Sequence, residues 1–146
     1  MERRNIGGEG GLEVSLVGLG CNSFGRRIDE KATHAVLDAA IEAGIDFLDT
    51  AENYGDGKSE VYMGTGLKGK RDKVFLATKF GLPASRTTYK KKGSAENIRA
   101  SIDQSLDKLQ TDRVDLYQQH RPDPETPIAE TLGALEDLVN DGKIRY

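Results

Sequence analysis

The sequence predicts an α/β fold of parallel strands alternating with helices. Three observations carry this. Short apolar runs of about five residues recur along the chain, each followed by a longer stretch with helical spacing. Capping residues and glycine stops bracket those longer stretches. The length of 146 residues, with 36% apolar and 31% charged residues, suits one domain with a real core. Alternation of this kind implies right-handed crossovers between parallel strands. Two arrangements satisfy it: an open doubly wound sheet, or an eight-stranded closed (β/α)8 barrel.

After a short N-terminal segment, Ser15 to Gly20 forms the first predicted strand. Residues 29–43 then place Val36, Leu37, Ala40 and Ile41 on one helical face, with Asp29 as N-cap and Gly44 as the stop. His34 lies on the flank of that helix. Ile45 to Asp49 is the second strand, and Ser59 is positioned to cap a shorter helix reaching about Lys68. Val74 to Lys79 is the third strand. Ser94 caps a helix with the stripe Ile98, Ile102, Ser105, Leu106 and Leu109. Val114 to His120 is the fourth strand. Thr126-Pro127 reads as an N-cap followed by proline at the first helical position. The helix that follows is expected to bury Ile128, Leu132, Leu135, Leu138 and Val139 and to end at Asp141-Gly142. A fifth strand begins at Lys143-Ile144-Arg145-Tyr146. Four βα units are therefore present in one domain spanning 1–146, and the expectation is a barrel domain truncated at the start of its fifth strand.

Composition narrows the function. The net charge of −3, with both signs interspersed, points away from nucleic acid and anionic membranes as main partners. The run Lys90-Lys91-Lys92 reads as a solvated loop. The single cysteine, Cys21, forbids a disulfide within the chain and fits a reducing compartment. With two histidines in all, a Cys/His metal cluster is not expected. No apolar run approaches the roughly 18 residues that span a bilayer, and no secretory signal opens the chain. A cytoplasmic protein is the expectation. Two glycine patterns imitate nucleotide sites and fail. Gly18-Leu19-Gly20 would need a third glycine where Ser23 stands. Gly57-Lys58-Ser59 would need one at Glu52. Both read as turn glycines.

The informative polar residues stand at the C-terminal ends of the strands, where parallel α/β folds bind ligands. The second strand ends in Asp49, with Tyr54 just beyond it. The third ends in Lys79 and the fourth in His120. These four are predicted to share one rim. Reducing a carbonyl requires a hydride on carbon and a proton on oxygen. A phenol, with a reference pKa of about 10, is a sluggish acid unless a neighbouring ammonium favours the phenolate. Lys79 can supply that charge, Asp49 can keep Lys79 protonated, and His120 can bind the carbonyl oxygen. Singly, each residue has a blander reading as a loop cap, a packed ring, a solvated charge or a structural imidazole. Four together at consecutive strand ends are hard to attribute to chance.

The stretch Gly44-Ile45-Asp46-Phe47-Leu48-Asp49-Thr50-Ala51-Glu52-Asn53-Tyr54-Gly55 resembles the aldo-keto reductase signature. Ser59-Glu60 with Gly64, Ala77-Thr78-Lys79-Phe80-Gly81, Asp115-Leu116-Tyr117-Gln118-Gln119-His120 and Asp123-Pro124-Glu125-Thr126-Pro127-Ile128 extend the resemblance from about Leu12 to Tyr146. It implies a (β/α)8 TIM barrel, present here as about its first four βα units. It also implies NADPH-dependent reduction of an aldehyde or ketone, with Tyr54 as proton donor and Asp49, Lys79 and His120 as its catalytic partners. Gly20, Cys21, Asn22 and Asp49 would then lie near the nicotinamide ribose. In this family the phosphate and adenine contacts come mainly from later strands. Departures from the family pattern include Ala129, which removes half a capping box, and Met63 and Gly66 in the second helix. Gly66 is expected to weaken its helix by up to about 1 kcal/mol relative to alanine. Two alternatives accompany the enzyme reading: an inactive half-barrel fragment, and a non-catalytic regulatory or binding subunit of the same fold. The long rim loop from Leu82 to Gly93 is expected to help shape the pocket.

Overall fold

The computed structural model describes residues 1–82 and 92–146. Strands β3 (Gly18–Gly20), β4 (Phe47–Asp49), β5 (Phe75–Phe80) and β6 (Leu116–Gln119) form one parallel sheet in that order. Helices α1 (Glu30–Glu42), α2 (Lys58–Gly66), α3 (Ala95–Leu109) and α4 (Ile128–Asn140) connect and follow them. The register aligns Gly20 with Asp49, Asp49 with Ala77, and Ala77 with Leu116. Residues 143–146 lie beside β6, where Val114 bridges Ile144 in parallel. Where the sequence suggested the start of a fifth strand, the structure has this single parallel bridge rather than a strand.

Strand alternation assigns two faces. Leu48, Leu76, Phe80 and Tyr117 point toward the helices and pack against Leu37, Met63, Ile98, Ile102 and Leu138 in one buried cluster. Phe47, Asp49, Lys79 and Gln118 point to the opposite, concave face. There they line a concavity of about 530 Å³ together with Arg4, Ile6 and Val14.

The last three residues belong to an element that the sequence reading did not anticipate. Strands β1 (Arg3–Ile6) and β2 (Leu12–Ser15) pair as an antiparallel hairpin. Asp46, just before β4, fastens it. Its carboxylate accepts from the Ser15 amide at 2.7 Å and from Arg3 at 2.7 Å. Despite the cost of burial, those donors hold the Asp46 carboxyl below the ordinary carboxylate range.

Asp115 does comparable work at the start of β6. It is 2% exposed, and its oxygens accept from Arg71 at 2.8 Å, the Leu76 amide at 2.9 Å and Arg145 at 3.0 Å. Burial alone would raise this carboxyl, but the Leu76 amide and the two guanidiniums lower it. One carboxylate thereby joins the starts of β5 and β6 to residue 145.

Helix boundaries follow the caps at two places. Asp29 accepts from the Ala32 amide, and Ser94 accepts from the Asn97 amide. Two others need correction. Ser59 does not cap α2; Gly57, at φ 85°, occupies that position. The Ser59 hydroxyl is buried and bonds Thr50 Oγ1 at 2.9 Å and the Cys21 carbonyl at 3.0 Å. Thr126 donates to Asp123 rather than capping α4, which begins after Pro127.

The apolar face of α4 also differs from expectation. Leu138 is buried and Leu135 partly so, but Ile128, Leu132 and Val139 are 63%, 57% and 44% exposed. Thr131 and Ala134 take the inward positions instead. The reason is geometric: α4 rests on α3, while its other flank faces solvent. A similar shift places Val36 of α1 outward and Thr33 inward.

Candidate active site

Asp49, Lys79 and His120 reach the same rim because three adjacent parallel strands end there. Asp49 closes β4. Lys79 is the penultimate residue of β5 and lies two residues beyond Ala77, the register partner of Asp49. His120 immediately follows β6, and its amide donates to the Phe80 carbonyl at 2.9 Å. Tyr54 arrives from a tight turn after β4, with its amide bonded to the Ala51 carbonyl. Gly55 and Asp56 that follow both have positive φ, 59° and 56°. Glycine adopts that conformation freely. At Asp56 it is an uncommon one that short polar side chains tolerate best.

The four side chains converge. Lys79 Nζ lies 2.8 Å from the Asp49 carboxylate and 2.8 Å from the Thr50 carbonyl oxygen. It is 3.3 Å from Tyr54 Oη and 4.9 Å from the centre of the Tyr54 ring. The His120 ring meets the Tyr54 ring edge-on, with centroids 5.9 Å apart and planes at 84°. Lys79 is 14% exposed and Asp49 34% exposed, so the ion pair is sheltered on the lysine side and open on the carboxylate side. Burial, then the Lys79 and Arg121 cations, push His120 below the ordinary imidazole value. It is therefore a neutral ring at pH 7. Its Nδ1 is buried and has no partner among the described residues.

Gly20, Cys21 and Asn22 form the neighbouring rim at the end of β3. A Cβ added at Gly20 would meet nothing within 4 Å, so open space lies over that backbone. Asn22 is exposed and lines a second hollow with Arg26, Asn53, Tyr54 and Lys58. Cys21 is turned inward. Its amide donates to the Asp49 carbonyl, its carbonyl accepts from Ser59, and burial foremost pushes its thiol up to about 12. Its polar backbone is thus spent on holding this rim to β4 through the amide and to α2 through the carbonyl. Of the rim loop Leu82 to Gly93, residues 83–91 lie outside the described residues, as do Lys90 and Lys91 of the lysine run.

The sequence reading missed a polar cluster behind the sheet. Thr78, on the helix-facing side of β5, donates to Glu60 at 2.7 Å. Glu60 is fully buried, with Lys108 3.6 Å away. Glu52, 8% exposed, accepts from the Leu82 amide at 2.8 Å. A signal for this existed. Thr78 interrupts the otherwise apolar helix-facing side of β5, and a buried hydroxyl demands a partner.

The family model described as the aldo/keto reductase family matches residues 16–146. The aldo-keto reductase YhdN of Bacillus subtilis (strain 168) is 41% identical over 141 residues, covering 92% of this chain and 43% of that protein. A probable aldo-keto reductase 1 of Glycine max is 40% identical over 146 residues, covering 95% of this chain and 42% of that protein. The holo form of the reductase AKR11C1 from Bacillus halodurans superposes with a TM-score of 0.89 at 39% identity, over all of this chain and 49% of that one. The thermostable reductase Tm1743, in complex with epalrestat, gives 0.86 at 32% identity, over all of this chain and 52% of that one. The chain therefore spans about half the length of these relatives, and its sheet is part of a (β/α)8 barrel.

Proposed function

Because this chain belongs to the aldo/keto reductase family, we propose that it carries the proton-delivering rim of an NADPH-dependent enzyme that reduces aldehydes or ketones. The observation that carries the reading is the position of Lys79 Nζ, bonded to Asp49 and 3.3 Å from Tyr54 Oη. When bound, the reduced nicotinamide supplies a hydride to the carbonyl carbon. Tyr54 gives its hydroxyl proton to the carbonyl oxygen. The Lys79 ammonium stabilises the phenolate left behind, and Asp49, 2.8 Å away, holds that ammonium in place. Neutral His120, edge-on to the Tyr54 ring, orients the oxygen that receives the proton.

The residues present fit the nicotinamide end of such a cofactor. Open space lies above Gly20, Asn22 is accessible, and the exposed side of the Asp49 carboxylate faces the concavity. Cys21 contributes to this edge by fixing β3, since its own polar groups are engaged. Its buried, unpaired thiol accords with a reducing compartment such as the cytoplasm. Among the described residues no helix is long and apolar enough to cross a membrane.

The test is Tyr54→Phe in the full-length protein. Carbonyl reduction should fall by about 10²-fold or more, the scale of general acid assistance, while the dissociation constant for NADPH stays unchanged. Undiminished turnover would remove Tyr54 from the role of proton donor.

A further inference from the structure

Glu52 stands between Asp49 and Tyr54 in the chain, and no step above uses it. Its main chain grips β5 at Lys79, and its side chain grips the chain just past the end of that strand. The Glu52 amide donates to the Lys79 carbonyl at 3.2 Å, and its carboxylate accepts from the Leu82 amide at 2.8 Å. A carboxylate held at this depth is costly unless its hydrogen bonds compensate.

The groups facing it are the Ser101 hydroxyl on α3, Glu60 on α2 and Tyr117 on β6. Glu60 is itself bonded to Thr78, the residue before Lys79, with Lys108 beyond it. The surroundings are therefore polar but mostly not cationic. An apolar side chain would fill this space at less cost, yet it would leave the Leu82 amide without its acceptor.

We infer that Glu52 is a positioning residue for the proposed reduction: by stitching the Tyr54 turn to the end of β5, it sets Tyr54 Oη within reach of Lys79 Nζ. The inference rests on the proton-donor reading of Tyr54. Only Asn53 separates Glu52 from Tyr54, and the backbone turns tightly at Gly55 and Asp56 directly afterwards. A shift of the Glu52 tie has little chain over which to dissipate. Displacing a reacting group by about 1 Å can cost about 10²-fold in rate. Burial, together with the Glu60 charge, pushes the Glu52 carboxyl up despite the bonds from Leu82 and Ser101. The tie itself needs an acceptor oxygen for the Leu82 amide, which a carboxamide supplies at the same reach as a carboxylate.

Three variants test this. Glu52→Leu keeps bulk without an acceptor. Glu52→Gln keeps a carbonyl oxygen of the same reach. Glu52→Asp keeps the charge but draws it back by one methylene. The first readout is hydrogen exchange at the Leu82 amide. The second is kcat, KM and the NADPH dissociation constant of the full-length protein.

Glu52→Leu should speed Leu82 exchange by about tenfold or more, the signature of a lost local constraint. It should lower kcat by about 10- to 100-fold while KM and NADPH affinity stay within about threefold. Glu52→Gln should restore both readouts toward wild type. If Glu52→Leu fails to fold, the comparison of Gln with Asp decides, and Gln must be the more active. The inference is overturned by wild-type kcat in Glu52→Leu, by a loss confined to KM, or by Asp outperforming Gln. Full turnover in Tyr54→Phe would sink the proton-donor reading and this role with it. Rapid Leu82 exchange in Glu52→Leu would then still register the tie as structural only.

Discussion

Replacing Lys79 with methionine removes one charge and keeps most of the side-chain length. In the structure that charge lies 3.3 Å from Tyr54 Oη, the oxygen that the proposed proton transfer would leave anionic. Two unit charges at that separation interact by about 5 kcal/mol at an effective dielectric near 20. The figure is an upper one, because Lys79 divides its donors among Tyr54, Asp49 and the Thr50 carbonyl. Methionine also leaves the Asp49 carboxylate uncompensated beside the phenolate, which restores part of the penalty. At about 1.36 kcal/mol per decade, the expected fall in kcat is about 10²- to 10⁴-fold. The assay is loss of NADPH absorbance with a simple aldehyde, alongside NADPH affinity measured by fluorescence. A double variant, Asp49→Asn with Lys79→Met, separates electrostatics from folding. It should recover thermal stability through a neutral pair while the rate stays low. A rate that recovered with stability would refute the reasoning, as would a single variant slowed by less than about threefold.

Two further predictions concern the frame around the site. Asp115→Asn leaves the half-sheltered Arg71 guanidinium without its carboxylate, and should lower stability by about 2–4 kcal/mol in urea unfolding of this chain. Arg71 keeps the Val74 and Arg113 carbonyls as acceptors, so the loss should fall short of the largest buried-pair values. The folded Asp115 carboxyl lies below its unfolded value. Its contribution is therefore complete above the unfolded value of about 3.9 and is lost as pH falls through the lower folded value. The gap between wild type and Asp115→Asn should narrow in acid, and a gap that widened would contradict the assignment. Gly66→Ala should destabilise by about 1–2 kcal/mol, because overpacking outweighs the gain in helix propensity. Thermal unfolding measures this, and a raised midpoint would reverse it.

Much of the site was legible in the sequence because its residues sit at strand ends, where period-two alternation fixes which face they take. Asp49, Lys79 and His120 each follow an apolar run, so the rim could be read from one-dimensional pattern. The caps Asp29 and Ser94 were legible for the same local reason. What escaped reading depends on contacts between distant segments. Gly66 looked like a weak point of α2, yet a Cβ there would come within 2.7 Å of the His34 ring and 2.9 Å of Leu37. Gly64 likewise lies against the Lys108 carbonyl at the end of α3, where a Cβ would approach to 2.3 Å. These glycines let α2 nest between α1 and α3, which no propensity scale records. His34 is held there by the Tyr62 carbonyl and Thr65 hydroxyl. Ser59 had the residue type of a cap but was drawn inward by Thr50 and Cys21. The β1–β2 hairpin escaped because its charged, glycine-rich sequence lacks a strong apolar alternation; its anchor, Asp46, is 31 residues from Ser15. The outward face of α4 escaped because helical spacing says which residues share a side and not which side finds a neighbour.

A phenol, an ammonium, a carboxylate and an imidazole meet at one end of the sheet. A crystal structure of the full-length protein with NADPH bound measures that most directly. It should show Tyr54 Oη within hydrogen-bond reach of Lys79 Nζ, Lys79 paired with Asp49, and the His120 ring edge-on to Tyr54. A Tyr54 side chain swung into solvent, with Lys79 and His120 facing other partners, would contradict it.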